Sequence, residues 1–286
     1  MIYICKANMT ILLFTGILFV AALVAGLLGS LTGLGGGVVI IPLLTLVFKV
    51  DIHYAIGTSL VSVIATSSGA AAAYVREGIT NIRLGMFLEL ATTAGAVAGA
   101  WLAAYMPTEI IAILFGAVLI ASAALSFTNR ADPVTTGPPG NLSVKLRLNS
   151  TMPTPEGKMP YFVKNVVGGF FMMNIAGVIS GLLGIGSGAL KVIAMDNIMR
   201  IPFKVSTTTS NFMIGVTAAA SVGVYLKRGY IDPGLSMPVM LGVLGGAFLG
   251  TRVLTRAKTP SLKILFALVV LVLAVEMIYN GIAHKI

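Results

Sequence analysis

The stretch Gly33-Leu34-Gly35-Gly36-Gly37 breaks an apolar run that extends from about Ile11 to Phe48. A second knot, Gly184-Ile185-Gly186-Ser187-Gly188, stands 151 residues later (184 − 33 = 151). At that offset, without a gap, Ala25-Gly26 falls on Ala176-Gly177, Thr58-Ser59 on Thr209-Ser210, Tyr74 on Tyr225, Gly78 on Gly229, and Gly95-Ala96 with Gly99 on Gly246-Ala247 with Gly250. The chain reads as one unit written twice. Each helical glycine costs about 1 kcal/mol relative to alanine, and in lipid every freed backbone group must find another partner. Discontinuous transporter helices give such breaks a use, since their unpaired N–H groups point the positive dipole end at anionic substrates near the midplane. The competing reading is close helix packing through small residues. Two knots in register, joined to matched Thr-Ser pairs, favour the first.

Of the 286 residues, 57% are hydrophobic and 10% charged, with a mean hydropathy of +0.99. A soluble domain carries about 25% charged residues, so this chain must be solvated by lipid. Transmembrane strands alternate apolar and polar residues, whereas Ile111 to Phe127 and Leu262 to Ile278 are continuously apolar; the fold class expected is an all-α polytopic membrane protein. Cys5 is the single cysteine, which excludes an intramolecular disulfide and a multi-cysteine metal site. The net charge of +10 sits mostly in loops and a central linker, as the positive-inside rule requires, and no basic platform interleaved with aromatics points to nucleic acid. Met9 to Leu28 after Lys6 has the look of a signal peptide. Its repeat partner, Phe162 to Leu183, lies mid-chain, so it is read as a retained membrane segment.

Five hydrophobic segments are expected in the first half, at about 10–31, 37–49, 53–75, 84–104 and 109–127, and five partners at about 161–183, 188–200, 204–226, 234–251 and 261–280. This divides the chain into a first membrane repeat (1–127), a polar cytoplasmic linker (128–160) and a second membrane repeat (161–286). The second segment of each half is short, rising about 20 Å against a hydrocarbon core of about 30 Å, so it is a tilted half-helix or one arm of a re-entrant hairpin. Arg130, Lys145, Arg147 and Lys158 of the linker, with Arg76 and Arg83, are placed inside. Five crossings per half make the repeats inverted; a knot lying within one kinked crossing makes them parallel. In the linker, Leu142, Val144, Leu146 and Leu148 alternate with Ser143, Lys145 and Arg147, which predicts a strand there, with a turn at Pro153, Pro155 and Gly157 closing a small hairpin.

Thr58-Ser59 and Thr209-Ser210-Asn211 lie early in the third segment of each half. Their hydroxyls and amide can donate to an oxyanion without adding charge, or they can cap and back-bond to the helix. His53 aligns with Lys204, and Arg76 with Lys227; cations at both ends of these segments suit steering of an anion, and snorkelling predicts the same placement. Glu89 and Lys191 are the ionisable residues deepest in segments, and Glu89 is a candidate for proton coupling, although each stands near a helix start from which an interface is within reach. His53 and His284 are not spaced as metal ligands, the knots lack the Gly-Lys-Ser/Thr ending of a P-loop, and no enzyme signature or cofactor motif is present.

Leu31-Thr32-Gly33-Leu34-Gly35-Gly36-Gly37, Leu182-Leu183-Gly184-Ile185-Gly186-Ser187-Gly188, the stretch Lys204 to Phe212, and Tyr225-Leu226-Lys227-Arg228-Gly229-Tyr230-Ile231-Asp232 together resemble the sulfite exporter TauE/SafE family of membrane permeases. The resemblance covers nearly the whole chain after about Thr10 and implies a plasma-membrane permease, usually an exporter, for small sulfur-containing anions such as sulfite or organosulfonates. Ser187, where the first half has Gly36, is one departure between the knots. The expectation is a secondary transporter that needs no cofactor and works by alternating access. Its anion site is expected at Gly33, Gly35, Gly36, Gly37, Thr58, Ser59, Gly184, Gly186, Ser187, Gly188, Thr209, Ser210 and Asn211, in a lipid bilayer and without nucleic acid. Its rivals are an uptake permease or channel for another small anion and a non-transporting membrane enzyme or sensor.

Overall fold

The computed structural model describes residues 11–32, 36–76, 78–126, 140–154, 157–254 and 259–283. Gly33 and Gly35 of the first knot lie outside the described residues. The first half comprises α1 (Ile11–Thr32), α2 (Gly37–Pro42) continuing into a π-helical turn (Leu43–Val47), α3 (Ile52–Arg76), α4 (Ile82–Ala103) and α5 (Thr108–Ser126). A short α6 (Asn141–Lys145) and an antiparallel hairpin, β1 (Ser150–Thr154) with β2 (Gly157–Tyr161), lead into the second half. There follow α7 (Val166–Leu183), α8 (Gly188–Ile193) with its π-helical turn (Ala194–Ile198), α9 (Phe203–Lys227), α10 (Pro233–Leu254) and α11 (Thr259–Ile282).

Element bounds recur at the offset seen in the residues. Adding 151 to both ends of α2, its π turn, α3 and α4 gives α8, its π turn, α9 and α10 (37 + 151 = 188; 52 + 151 = 203; 82 + 151 = 233), and α5 and α11 begin 151 apart. The left-handed residues Lys49 and Arg200, and Gly78 and Gly229, keep the same spacing. Pro42 lacks an N–H and crowds the preceding turn, which disturbs the helical ladder where the first π turn begins. Ile193 stands at the matching place before the second π turn, so proline alone does not dictate the distortion.

The strand expected over 142–148 is not formed. Leu142, Val144 and Leu146 are exposed, and of the alternating apolar set only Leu148 is buried, so the alternation does not mark one buried strand face. Ser143 Oγ instead donates to Gly140 O (2.8 Å) and Leu148 N to Ser143 O (2.9 Å), which closes a helical turn. The hairpin lies one stretch later, pairing Ser150 with Tyr161. The segment expected from 161 likewise starts later: Tyr161 ends β2, and Asn165 caps α7 by accepting from Gly168 N.

Close packing through glycine joins the halves. A Cβ on Gly26 would fall on the backbone of Val243, and one on Gly242 or Gly246 on the Phe19 or Leu23 carbonyl, so α1 and α10 run parallel in backbone contact. Gly95 and Gly99 meet Asn174 and Val178, and Gly177 and Gly181 meet Thr92 and Ala96, which does the same for α4 and α7. Small-residue packing therefore accounts for these glycines. Gly116 faces Ala274 and Ile278 while Gly281 faces Glu109 and Ile113, so α5 and α11, which occupy matched places, run antiparallel. For α3 and α9, Gly57 meets Tyr230 just beyond α9 and Gly215 meets Ser67, again antiparallel. Leu12, Leu90, Trp101, Phe171 and Phe248 point outward, as a lipid-facing surface requires. Among the described residues α4, α7 and α9 are long and apolar enough to cross a bilayer, and five shorter apolar helical stretches accompany them.

Candidate functional site

The second knot is a left-handed path between two helices. Gly184 (φ +69°) closes α7 with its N–H on Ser180 O, Gly186 has φ +70°, Ser187 has φ +48°, and Gly188 opens α8. Glycine adopts such angles freely; serine does so at a cost of about 1–2 kcal/mol. A Cβ at Gly186 would lie 2.8 Å from Ile214 Cγ2, so α9 also enforces glycine there. The first knot differs where it is described: Gly36 is right-handed (φ −64°) at the start of α2.

The knots touch. A Cβ on Gly37 would meet Ser59 Oγ at 2.5 Å and the Gly184 carbonyl oxygen at 3.3 Å. Ser59 Oγ donates to Gly184 O (3.0 Å) and Ser210 Oγ to Gly188 O (3.1 Å), so a serine from each half braces the second knot. Thr58 is fully buried beside Ser236 (3.4 Å between hydroxyls), Thr209 Oγ1 accepts from Asn81 N (3.1 Å), and Asn211 is half-buried. In this conformation the hydroxyls of Ser59 and Ser210 are engaged with carbonyls. Beside the knot is a small, partly open cavity of about 10 Å³, space for about one water molecule, lined by Val38, Val118, Ser122, Ile185, Ser187, Gly188 and Leu190. Of the residues expected to bind anion, Ser187 and Gly188 line it. Ser187 Oγ is 2% exposed and has no hydrogen-bond partner. Ser122 and Val118, which α5 contributes, were not singled out by sequence; Ser122 is a lone hydroxyl in an apolar segment whose place opposite the knot only the fold reveals.

A charged cluster lies on α4, α8 and α9. Lys191 Nζ donates to Thr217 Oγ1 (2.5 Å), which is 2.6 Å from Glu89 Oε1, and Thr93 Oγ1 donates to the same oxygen (3.1 Å). Lys191 is fully buried and Glu89 6% exposed, so neither reaches an interface as their positions near helix starts allowed. Glu89 Oε2 is buried without a partner. Thr217 is a further residue that sequence reasoning missed.

The candidate pathway cations separate. Lys204 and Lys227 are exposed at opposite ends of α9, and Arg76 is the last residue of α3. His53 is buried at the other end of α3, its Nδ1 3.1 Å from Asp51 Oδ1 and its Nε2 3.1 Å from Ala103 O, with its ring stacked on Tyr230. The hydrogen bond from His53 is the largest influence on Asp51, whose carboxyl it holds below its ordinary range against the opposing effect of burial. The linker hairpin caps the opposite face, where Asn81 Nδ2 donates to Leu148 O and Tyr161 Oη (2.9 Å each).

A family model described as the sulfite exporter TauE/SafE matches residues 18–277. The chain belongs to the sulfite exporter TauE/SafE family. Among its relatives, the probable membrane transporter protein YunE of Bacillus subtilis is 27% identical over 274 residues, covering 93% of this chain and 98% of that one. YdhB of the same organism, also named a probable membrane transporter protein, is 28% identical over 82% of this chain and 87% of its own. The Methanocaldococcus jannaschii protein MJ0441, named likewise, is 22% identical over 96% and 99%. No solved structure matches. The chain is a helical membrane transporter of this family.

Proposed function

We propose that the protein is a secondary permease of the cell membrane that moves small sulfur-containing anions, sulfite or organosulfonates, outward, and that the anion is held at the second glycine knot. The observation that carries this is Ser187 Oγ, a buried hydroxyl without a partner that lines a cavity beside the start of α8. An unpaired buried hydroxyl is costly, and a left-handed serine adds strain; a bound oxyanion accepting from Ser187 and from the free N–H groups that open α8 removes the first cost. Ser122 is the second donor on the cavity wall. Gly36 and Gly37 open the facing helix α2, Ser59 and Ser210 brace the second knot, and Thr58, Thr209 and Asn211 lie beside them in sequence on α3 and α9.

The antiparallel pairing of matched helices supports reading the halves as inverted repeats. Such halves can rock about a site at their junction, exposing it to either side in turn. The family's description supports sulfite and export. Purified protein in liposomes loaded with labelled sulfite should release it faster than protein-free liposomes, and competition by organosulfonates should rank the substrates. Conversion of sulfite without movement would replace the permease with an enzyme.

A further inference from the structure

We propose that His53 is a pH-sensitive lock on the mouth of the bundle beside the second knot. As an imidazolium it clasps the start of α3, the end of α4 and the loop after α9 together; as a neutral ring it releases the end of α4. With the basic linker inside, the lock reads the pH outside the cell.

Both ring nitrogens face acceptors. Nδ1 is 3.1 Å from Asp51 Oδ1, which also accepts the His53 backbone N–H (2.9 Å), and Nε2 is 3.1 Å from the Ala103 carbonyl oxygen, which also accepts Met106 N–H (3.3 Å). A carboxylate and a carbonyl only accept, so a ring that donates to both carries two protons and a positive charge. The face of Tyr230, stacked with ring centroids 5.0 Å apart, favours the same charge. A neutral ring has one N–H. With that N–H on Asp51, the Nε2 lone pair meets the Ala103 oxygen, and a bond becomes a repulsion. The proton has a way in, because the Asp51 side chain is 41% exposed beside the 10% of His53. Among the described residues Asp51 is the one acid paired with the ring. Of the other ionisable groups on the neighbouring elements, Tyr54 and Tyr225 meet the Tyr230 ring, Arg228 lies over Tyr105 (4.6 Å) at the end of α4, and Asp232 Oδ1 accepts Gly234 N–H. Glu109 is in the first turn of α5, and Lys49 and Lys227 are exposed.

The clasp joins the two halves next to the knot. Asp51, His53 and Ala103 belong to the first half and Tyr230 to the second. Ser59, which donates to Gly184 O, follows His53 by six residues (59 − 53 = 6), about 9 Å along α3. Between them Ile56 packs on Gly184, and Gly57 leaves no room for a Cβ beside Tyr230 O. Tyr225, whose ring lies 6.3 Å from that of Tyr230, donates to Gly181 O near the end of α7. The linker hairpin is at the other end of α4. Asn81 and Ala103 are 22 residues apart (103 − 81 = 22), about 33 Å of helix and a full hydrocarbon core, so the clasp and the hairpin stand at opposite membrane faces. The hairpin face is held by Asn81, Leu148 and Tyr161, none of which changes charge between about pH 5 and 8. At the offset of 151, Pro202, Lys204, Leu254 and Ile79 stand where the clasp has Asp51, His53, Ala103 and Tyr230. The fold therefore does not demand this cluster, and pH acts on one mouth only.

The test reads opening of the mouth directly, without flux. In full-length protein carrying Cys5→Ser, the substitution Ile56→Cys puts a thiol at a fully buried position between clasp and knot. Its labelling by a membrane-impermeant maleimide is timed from about pH 5 to about pH 9. Each rate is divided by that of the same reporter with His53→Gln, which cancels the thiol's own titration. Intact His53 should slow labelling about tenfold in acid, the worth of one charge-assisted hydrogen bond, and the ratio should return to one in base. Asp51→Asn should move that change about one pH unit towards acid. With His284→Gln leaving a single histidine, isotope-labelled imidazole should show two ring protons in acid and one in base, with the same midpoint. Should Ile56→Cys or His53→Gln fail to fold, Ala55→Cys, also fully buried, and His53→Phe, which keeps the stack on Tyr230, take their places. A ratio of one at every pH, or a change that does not follow titration of the ring, overturns the lock. The ratio is read whether or not sulfite moves, so failure of the permease reading and failure of the lock are told apart.

Discussion

Gly36 enters α2 in an ordinary right-handed conformation with Ile40 one turn on, whereas Ser187, its counterpart 151 residues later, enters α8 left-handed with Lys191 in the place of Ile40. Met240 occupies the position on α10 that Glu89 holds on α4. The helices that carry these residues keep their bounds at the offset of 151, so the difference lies in the backbone that enters α2 and α8 and in the side chains placed there. What is common to both halves builds the broken helices and their contact; what is confined to one half is a strained hydroxyl and two buried charges bridged by Thr217.

The sharpest way to break this comparison is to convert one half into the other. Lys191→Ile or Glu89→Met alone strands a buried charge and should cost about 3–5 kcal/mol, whereas the double variant, which removes both charges together, should come within about 1 kcal/mol of wild type. Unfolding in mixed micelles measures all three; a double variant as unstable as the worse single one would show that the charges serve the fold. Gly186→Val comes next. Its φ of +70° and Ile214 leave no room for a side chain, so it should lose about 2–3 kcal/mol and all sulfite flux. Ser187→Gly makes the second knot resemble the first. Relief of the left-handed strain should raise stability by about 1 kcal/mol, while the lost hydroxyl weakens anion binding about tenfold, a gain and a loss that thermal shift and flux KM report separately.

The smallest effect lies away from both knots. Asp51 is held below its ordinary value by His53, so its native pKa is lower than its unfolded one. Its contribution is complete above about pH 4 and is lost as pH falls through the lowered value. Asp51→Asn should flatten that acid limb by less than about 1 kcal/mol, because the carboxylate is partly exposed and screened.

The segments were legible because lipid leaves long apolar runs unmistakable, and several helix bounds recur at the offset of 151 that the glycines and Thr-Ser pairs keep. Lys191 and Glu89 were visible as buried candidates, but their pairing spans 102 residues (191 − 89 = 102) and runs through Thr217 on a third helix, a contact no local pattern announces. The Thr-Ser pairs were found as a repeat, yet only the fold shows Ser59 reaching across to Gly184 of the other half. The strand at 142–148 failed because alternation is a signal only when one face is buried.

The most direct test is an anomalous difference map from crystals soaked with sulfite, collected near the sulfur edge. The account predicts one peak, belonging to no methionine or cysteine, within hydrogen-bonding distance of Ser187 Oγ and the Gly188 N–H. A peak at Gly36 and Gly37 alone, or none beside either knot in protein that still transports sulfite, would contradict it.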